Sequence, residues 1–271
     1  TVFRITWQIP AAELIPQARA MSFLSYLFNN SDVRKNVEGK GVCKSLVATA
    51  ETESGHAYRE FNITAKFPPF PVNHPEVLSF VIFTTIIEYA RYLRLQLEIA
   101  IDDPEGSEMA EWRTRWEDMQ TLMKLHVSEE VIMRPLTLRD EMMHFAPADL
   151  IVGPFIPTVF SPAAILAALR VISAPRQSQV IFASTEHLEN MSGNEPFFGS
   201  PYEVSTTTPE VISMVGEPIV ETMRLPPRNM FIEYYTPVRI VSSNADRKQR
   251  TKSSAIVLPT RVTPADARNV L

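Results

Sequence analysis

PEVLSFVIFTTIIEYARYLRLQL, residues 75–97, is the stretch around which the rest of the chain is arranged. Pro75 stands where a helix would open, a position at which the missing N–H costs nothing. Val77, Leu78, Phe80, Val81, Ile82, Phe83, Ile86 and Ile87 then nearly encircle the helix. A helix that is apolar on all sides is buried, so the first half is expected deep in a core. Past Glu88 the apolar positions narrow to Tyr89, Leu93 and Leu97, with Arg91 and Arg94 opposite, and this half is expected to surface. A membrane span would need ~20 apolar residues, and the uncharged run stops at Glu88.

Two strands precede this helix. Tyr58 to Phe67 alternates, with Arg59, Phe61, Ile63, Ala65 and Phe67 on one face and Glu60, Asn62, Thr64 and Lys66 on the other. That period of two marks a half-buried strand. Cys43 to Glu51 is its expected hairpin partner, joined through Glu53-Ser54-Gly55-His56. At the start of the chain, Phe3, Ile5, Trp7 and Ile9 line one face of a further strand, which Pro10 ends. Residues 16–28 carry apolar residues at helical spacing. Residues 31–40 are a short helix candidate closed by Gly39 and Gly41.

Downstream, Ser107 is a candidate cap for a helix whose stripe is Met109, Trp112, Trp116, Met119 and Met123, ending at Arg134-Pro135. At this spacing such residues pack a core, each worth ~1.5–3 kcal/mol when buried. Ser161-Pro162 has the form of a helix start, Ser as cap and Pro at the first position. The following helix stops before Pro175, and Ser178 to Ala183 (SQVIFA) is expected as a buried strand. Residues 209–215 are another helix candidate, with Thr208 as cap. SSNADRKQRTKSS, residues 242–254, reads as a mobile linker. Strands grouped in a hairpin, followed by long helices, give the α+β class: an antiparallel-dominated sheet with helices packed on one face. The expected division is a domain over residues 1–232, and a linker with the start of a following segment over 233–271.

The 271 residues carry 26 Lys and Arg against 31 Asp and Glu, a net charge of −5. No basic face is expected, so nucleic acid and membrane are excluded as partners. The lone Cys43 cannot form an internal disulfide, in keeping with an intracellular, cytoplasmic setting. No signal peptide opens the chain. A strand-like run begins at Thr1, so the sequence is expected to be a piece of a longer or processed polypeptide.

Catalytic apparatus is not in evidence. The five histidines, His56, His74, His126, His144 and His187, form no H-x-x-x-H pair. His126-Val127-Ser128-Glu129-Glu130 follows the order of the inverted zinc motif H-x-x-E-H, but Glu130 stands in place of the second imidazole. A solvated helix end explains these residues more simply. Cys43 in a strand reads as a buried thiol. No glycine-rich phosphate loop is present among the eight glycines. Catalytic, cofactor and metal residues are therefore assigned as none in this chain.

Two short elements carry a resemblance. Glu195-Pro196-Phe197-Phe198-Gly199-Ser200-Pro201-Tyr202 is similar to the E-x-W/F-Y/F-G-T/S-x-Y element of the insulinase, or pitrilysin-type, zinc metallopeptidases. Leu225-Pro226-Pro227-Arg228-Asn229-Met230-Phe231-Ile232 resembles their L-P-x-K/R-N-x-F-I element. Their order and spacing match, and the similarity runs loosely from Thr1 to Ile232, best with the second domain of the amino-terminal half. In that family the first domain carries H-x-x-E-H, and the second holds no zinc ligand. The second lines a chamber and docks peptide along an edge strand.

The resemblance thus implies an inactive domain by itself, with zinc in the parent's catalytic domain. Its partners would be the parent's other domains and a peptide substrate. The docking strand would be Leu46, Val47, Ala48, Thr49 and Ala50, binding by β-augmentation. The insulin-degrading members have paired glycines where this chain has Ala48-Thr49. The family's H-E-G-x-G-S-L stretch is replaced by residues 27–33, and the proline after the second element is Glu233. Those departures keep open an alternative, a scaffold or interaction domain of a degenerate, inactive member.

Overall fold

The computed structural model describes residues 1–10, 19–50, 58–68, 75–130, 156–184, 191–204 and 223–229, all within one compact unit, Thr1–Ile232. A four-stranded sheet is its frame. The strands are β1 (Val2–Pro10), β2 (Ser45–Ala50), β3 (Tyr58–Lys66) and β4 (Ser178–Ala183), in the order β2-β3-β1-β4. All three pairings are antiparallel. The register puts Trp7 opposite Phe61, Ile5 opposite Ile63 and Phe3 opposite Ala65, and Ala48 opposite Ile63. The alternating apolar residues therefore share one buried face. The other face carries the exposed Arg4, Gln8, Val47, Thr49 and Lys66. There Thr6 Oγ1 donates to Asn62 Oδ1 at 2.6 Å across β1 and β3, which satisfies two buried polar groups.

Among the described residues five α-helices follow from local signals: α1 (Ala20–Asn30), α2 (Asp32–Gly39), α3 (Pro75–Asp102), α4 (Ser107–Glu130) and α5 (Pro162–Ile172). α1, α2 and α5 pack against the strands, and α3 and α4 pack on the other helices. Ser31 caps α2 by accepting the Arg34 N–H at 3.2 Å. Gly41, at φ 71°, turns the chain back toward β2, a conformation that suits glycine. Ser161 caps α5 through the Ala164 N–H at 3.3 Å, with Pro162 at the first position. Aromatic rings join the layers. Phe28 of α1 stands edge-on to Tyr89 of α3 at 5.1 Å and 5.7 Å from Phe61 of the sheet. Phe23 meets Trp116 of α4 at 5.3 Å. The Met/Trp stripe of α4 is buried at Met109, Trp112, Trp116 and Met119.

Three expectations are corrected. The first turns of α3 are not its deepest part: Val77 is 58% exposed. Burial on all sides is confined to Ile82–Ile87, and beyond it Tyr89, Leu93, Leu97 and Ala100 stay buried as a stripe. The helix enters from the edge of the core rather than its centre. Next, β4 is not a buried strand, since Val180 and Ile181 are more than 40% exposed. A run of apolar residues reads the same in a central strand and in one that, like β4 among the described residues, is paired on one side only. Lastly, Ser107 lies inside α4, and its hydroxyl donates to Glu108 Oε2 at 3.1 Å. The first helical bond instead runs from Ala110 N–H to the Gly106 carbonyl. The 53–56 connection, Pro16, Arg134-Pro135, the 209–215 helix and the 233–271 segment fall outside the described residues.

Candidate functional site

Among the described residues β2 is an edge strand of the sheet, and one row of its backbone groups turns away from β3. Leu46 and Ala48 point their side chains into the core, while Val47 and Thr49 face outward on the far side of the sheet. An edge strand with unpaired N–H and C=O groups is a template for another strand. Here that row is occupied in part. The Asn29 side chain, in the last turn of α1, donates from Nδ2 to the Ala48 carbonyl at 2.8 Å. Its Oδ1 accepts the Ala48 N–H at 2.9 Å. One primary amide thus makes both bonds that a residue of an added strand would make. Two positions earlier, the Leu46 N–H donates to Glu38 Oε1 of α2 at 2.7 Å.

Arg34 ties these two side chains together. Its Nε donates to Glu38 Oε1 at 3.0 Å, and its Nη1 donates to the Asn29 carbonyl at 3.2 Å. The helical spacing expected from the sequence ends at residue 28, yet Asn29 is helical and bonded to a strand 19 residues away. No local pattern signals such a contact. Cys43 lies nearby and is buried. Burial first, and the Glu38 carboxylate second, push its thiol up to about 11, so at neutral pH it is protonated and a poor nucleophile.

The two elements that carry the family resemblance also have visible roles. Residues 193–202 form a small hairpin in which β5 (Gly193–Asn194) pairs with β6 (Pro201–Tyr202). Both carboxylate oxygens of Glu195 accept backbone N–H groups, Phe197 at 3.0 Å and Phe198 at 2.6 Å. Gly199, at φ 65°, returns its N–H to the Glu195 carbonyl. A Cβ at Gly193 would sit 2.7 Å from Tyr202 Cζ, so a side chain there would push the half-exposed ring aside. The product is a tip that displays Phe197 and Phe198 almost fully to solvent. Leu225 to Asn229 is instead a strap on α3 and α4. The Tyr89 hydroxyl donates to the Arg224 carbonyl at 3.4 Å, Arg115 Nε donates to the Pro226 carbonyl at 2.9 Å, and Asp118 takes the Arg228 end.

Among the described residues no group of three or more His, Cys, Asp or Glu side chains could hold a metal ion. His126, Glu129 and Glu130 belong to the last turns of α4, where side chains are not described. His56, His74, His144 and His187 fall outside the described residues. Among those described, no helix is long and apolar enough to cross a membrane.

Residues 136–260 match the family model described as the middle or third domain of peptidase M16. The fold is similar to the crystal structure of pitrilysin, with a TM-score of 0.67 and 14% sequence identity over 85% of this chain. The chain spans 23% of the length of that structure's chain. No curated protein sequence matches it.

Proposed function

With this chain a domain of the insulinase/pitrilysin peptidase type, we propose that it is the non-catalytic second domain of a zinc metalloendopeptidase. The observation that carries this reading is the match of residues 136–260 to the middle or third domain of peptidase M16. The pitrilysin-like fold and the 23% span support it. The zinc and its H-x-x-E-H ligands belong to another domain of the parent, which works inside the cell. In the parent this domain forms part of the chamber wall and faces the other domains as partners. Its edge strand β2, Leu46 to Ala50, docks an extended peptide by main-chain hydrogen bonds, and the alternate side chains Val47 and Thr49 meet the peptide's own.

A second reading has one observation in its favour: the outward backbone groups of Leu46 and Ala48 are already bonded to Glu38 and Asn29. A domain whose docking edge is satisfied from within suits a scaffold in an inactive relative. Peptide cleavage by the full-length parent separates the two. Cleavage abolished by a chelator and restored by zinc is expected, and would exclude the scaffold. No cleavage under any metal condition would sink the peptidase reading. Elemental analysis of the dialysed 271-residue chain is expected to give well below one zinc per chain. One zinc per chain would move the metal site here, to the neighbourhood of His126 and Glu130.

A further inference from the structure

We propose that Asn29 and Glu38 form a built-in plug that decides whether β2 accepts a peptide; the proposal rests on the reading of β2 as a docking strand. A strand added to β2 would exchange a pair of bonds with the outward N–H and C=O of each second residue. At Ala48 both bonds are made by the Asn29 amide, at 2.8 and 2.9 Å. At Leu46 the N–H is taken by Glu38 at 2.7 Å. The side-chain amide has the same donor and acceptor as a peptide unit, so it competes for the same geometry. An incoming strand gains nothing at Ala48 unless Asn29 leaves.

Departure is feasible. Asn29 stands in the last turn of α1 and is only partly buried, so its side chain can rotate into solvent. Arg34 opposes that motion indirectly. It holds the Asn29 carbonyl and the Glu38 carboxylate together, which keeps the end of α1 and the start of α2 over the strand. A closed edge also protects the domain from pairing with other chains, the hazard of any exposed strand. Opening the plug then couples peptide binding to a rotamer change at one residue.

The test uses the 271-residue chain and its Asn29→Ala and Asn29→Ser variants, with folding checked by circular dichroism. Amide exchange by NMR reads the plug directly. The Ala48 amide is expected to exchange about tenfold faster in both variants, the factor for roughly one lost hydrogen-bond pair. Binding is read by anisotropy with a fluorescein-labelled decapeptide of alternating valine and lysine, and shifts at residues 46–50 locate it. About tenfold tighter binding to Asn29→Ala at β2 is expected. Unchanged Ala48 exchange overturns the plug. Equal binding at β2 by wild type and variant also overturns it, while leaving the docking reading intact. Faster exchange with no binding by either protein overturns the docking reading and the proposal together.

Discussion

Asp118, on the inner side of α4, reaches Arg228 in the strap 110 positions later: Arg228 Nε stands 3.5 Å from Asp118 Oδ1. The other oxygen accepts the Asn229 N–H at 3.3 Å. The Asp118 side chain is 2% exposed and that of Arg228 is 50% exposed. One carboxylate thus pins the strap by an ion pair and a backbone bond. Replacing it by alanine removes both. Bonds to a charged group are worth about 1.5–3 kcal/mol, reduced here because the guanidinium is wet, so Asp118→Ala is expected to cost about 1–2 kcal/mol. Asp118→Asn keeps an acceptor for Asn229 and is expected to lose less. Urea unfolding of the two variants checks the order, and a neutral Asp118→Ala would show that the strap is held by the Tyr89 and Arg115 hydrogen bonds and Leu225 packing without it.

Much of this framework was legible in the sequence, and the reason is periodicity. The alternation of β3 and the stripe of α4 report which face is buried, and Ser161-Pro162 announces α5. What could not be read depends on neighbours rather than on order along the chain. SQVIFA has the composition of a buried strand, yet Val180 and Ile181 are exposed and, among the described residues, β4 pairs with β1 alone. Leu46 to Ala50 was found by resemblance. Its partners Asn29 and Glu38 were missed because a side chain that bonds to a distant strand leaves no local pattern.

Asp32 gives a pH dependence with a definite sign. Its hydrogen bond to Arg224, ahead of opposing desolvation, holds the carboxyl below its ordinary value, and Lys35 adds to the effect. A depressed carboxyl favours the folded state above the unfolded pKa of about 4. The contribution is lost as pH falls through the lower folded value. Arg224→Ala should therefore flatten the acid limb of the curve of urea midpoint against pH. It should also move the Asp32 carboxyl titration upward in NMR. An Asp32 titration unchanged in the variant would mean that the pair does not persist in solution. The Arg224 side chain is 69% exposed, so the gain at neutral pH is expected to be small.

Thr84 and Thr85 are neighbours in α3 with opposite accounts. Both are buried. Thr85 Oγ1 donates to the Val81 carbonyl at 2.8 Å, whereas Thr84 Oγ1 has no hydrogen-bond partner among the described residues. A buried hydroxyl without a partner costs free energy that a methyl group does not. Thr84→Val keeps the shape and is expected to stabilise the protein by about 1 kcal/mol, while Thr85→Val should be neutral or destabilising. Thermal and urea unfolding decide it. A loss of stability in Thr84→Val would place an unseen acceptor or water beside that hydroxyl.

Cys43 supplies the alkaline counterpart to Asp32. Its folded pKa, about 11, lies above the unfolded thiol value of about 8.5. The fold therefore favours the neutral thiol. That contribution is complete below pH ~8.5 and is lost as pH rises through the folded value near 11. Tyr26, pushed up to about 12 mainly by burial and then by Asp118, adds a similar loss at higher pH. Cys43→Ala should remove the thiol's share and leave that of Tyr26. The unfolding midpoint of the variant should then fall less between pH 8.5 and 11 than that of the wild type. A disulfide reagent at pH 8 should leave the native thiol largely unmodified and react at once after unfolding in guanidinium. Native reaction at the rate of a free thiol would mean that the β2 edge opens around Cys43 on the time scale of the assay, and the burial argument would fail with it.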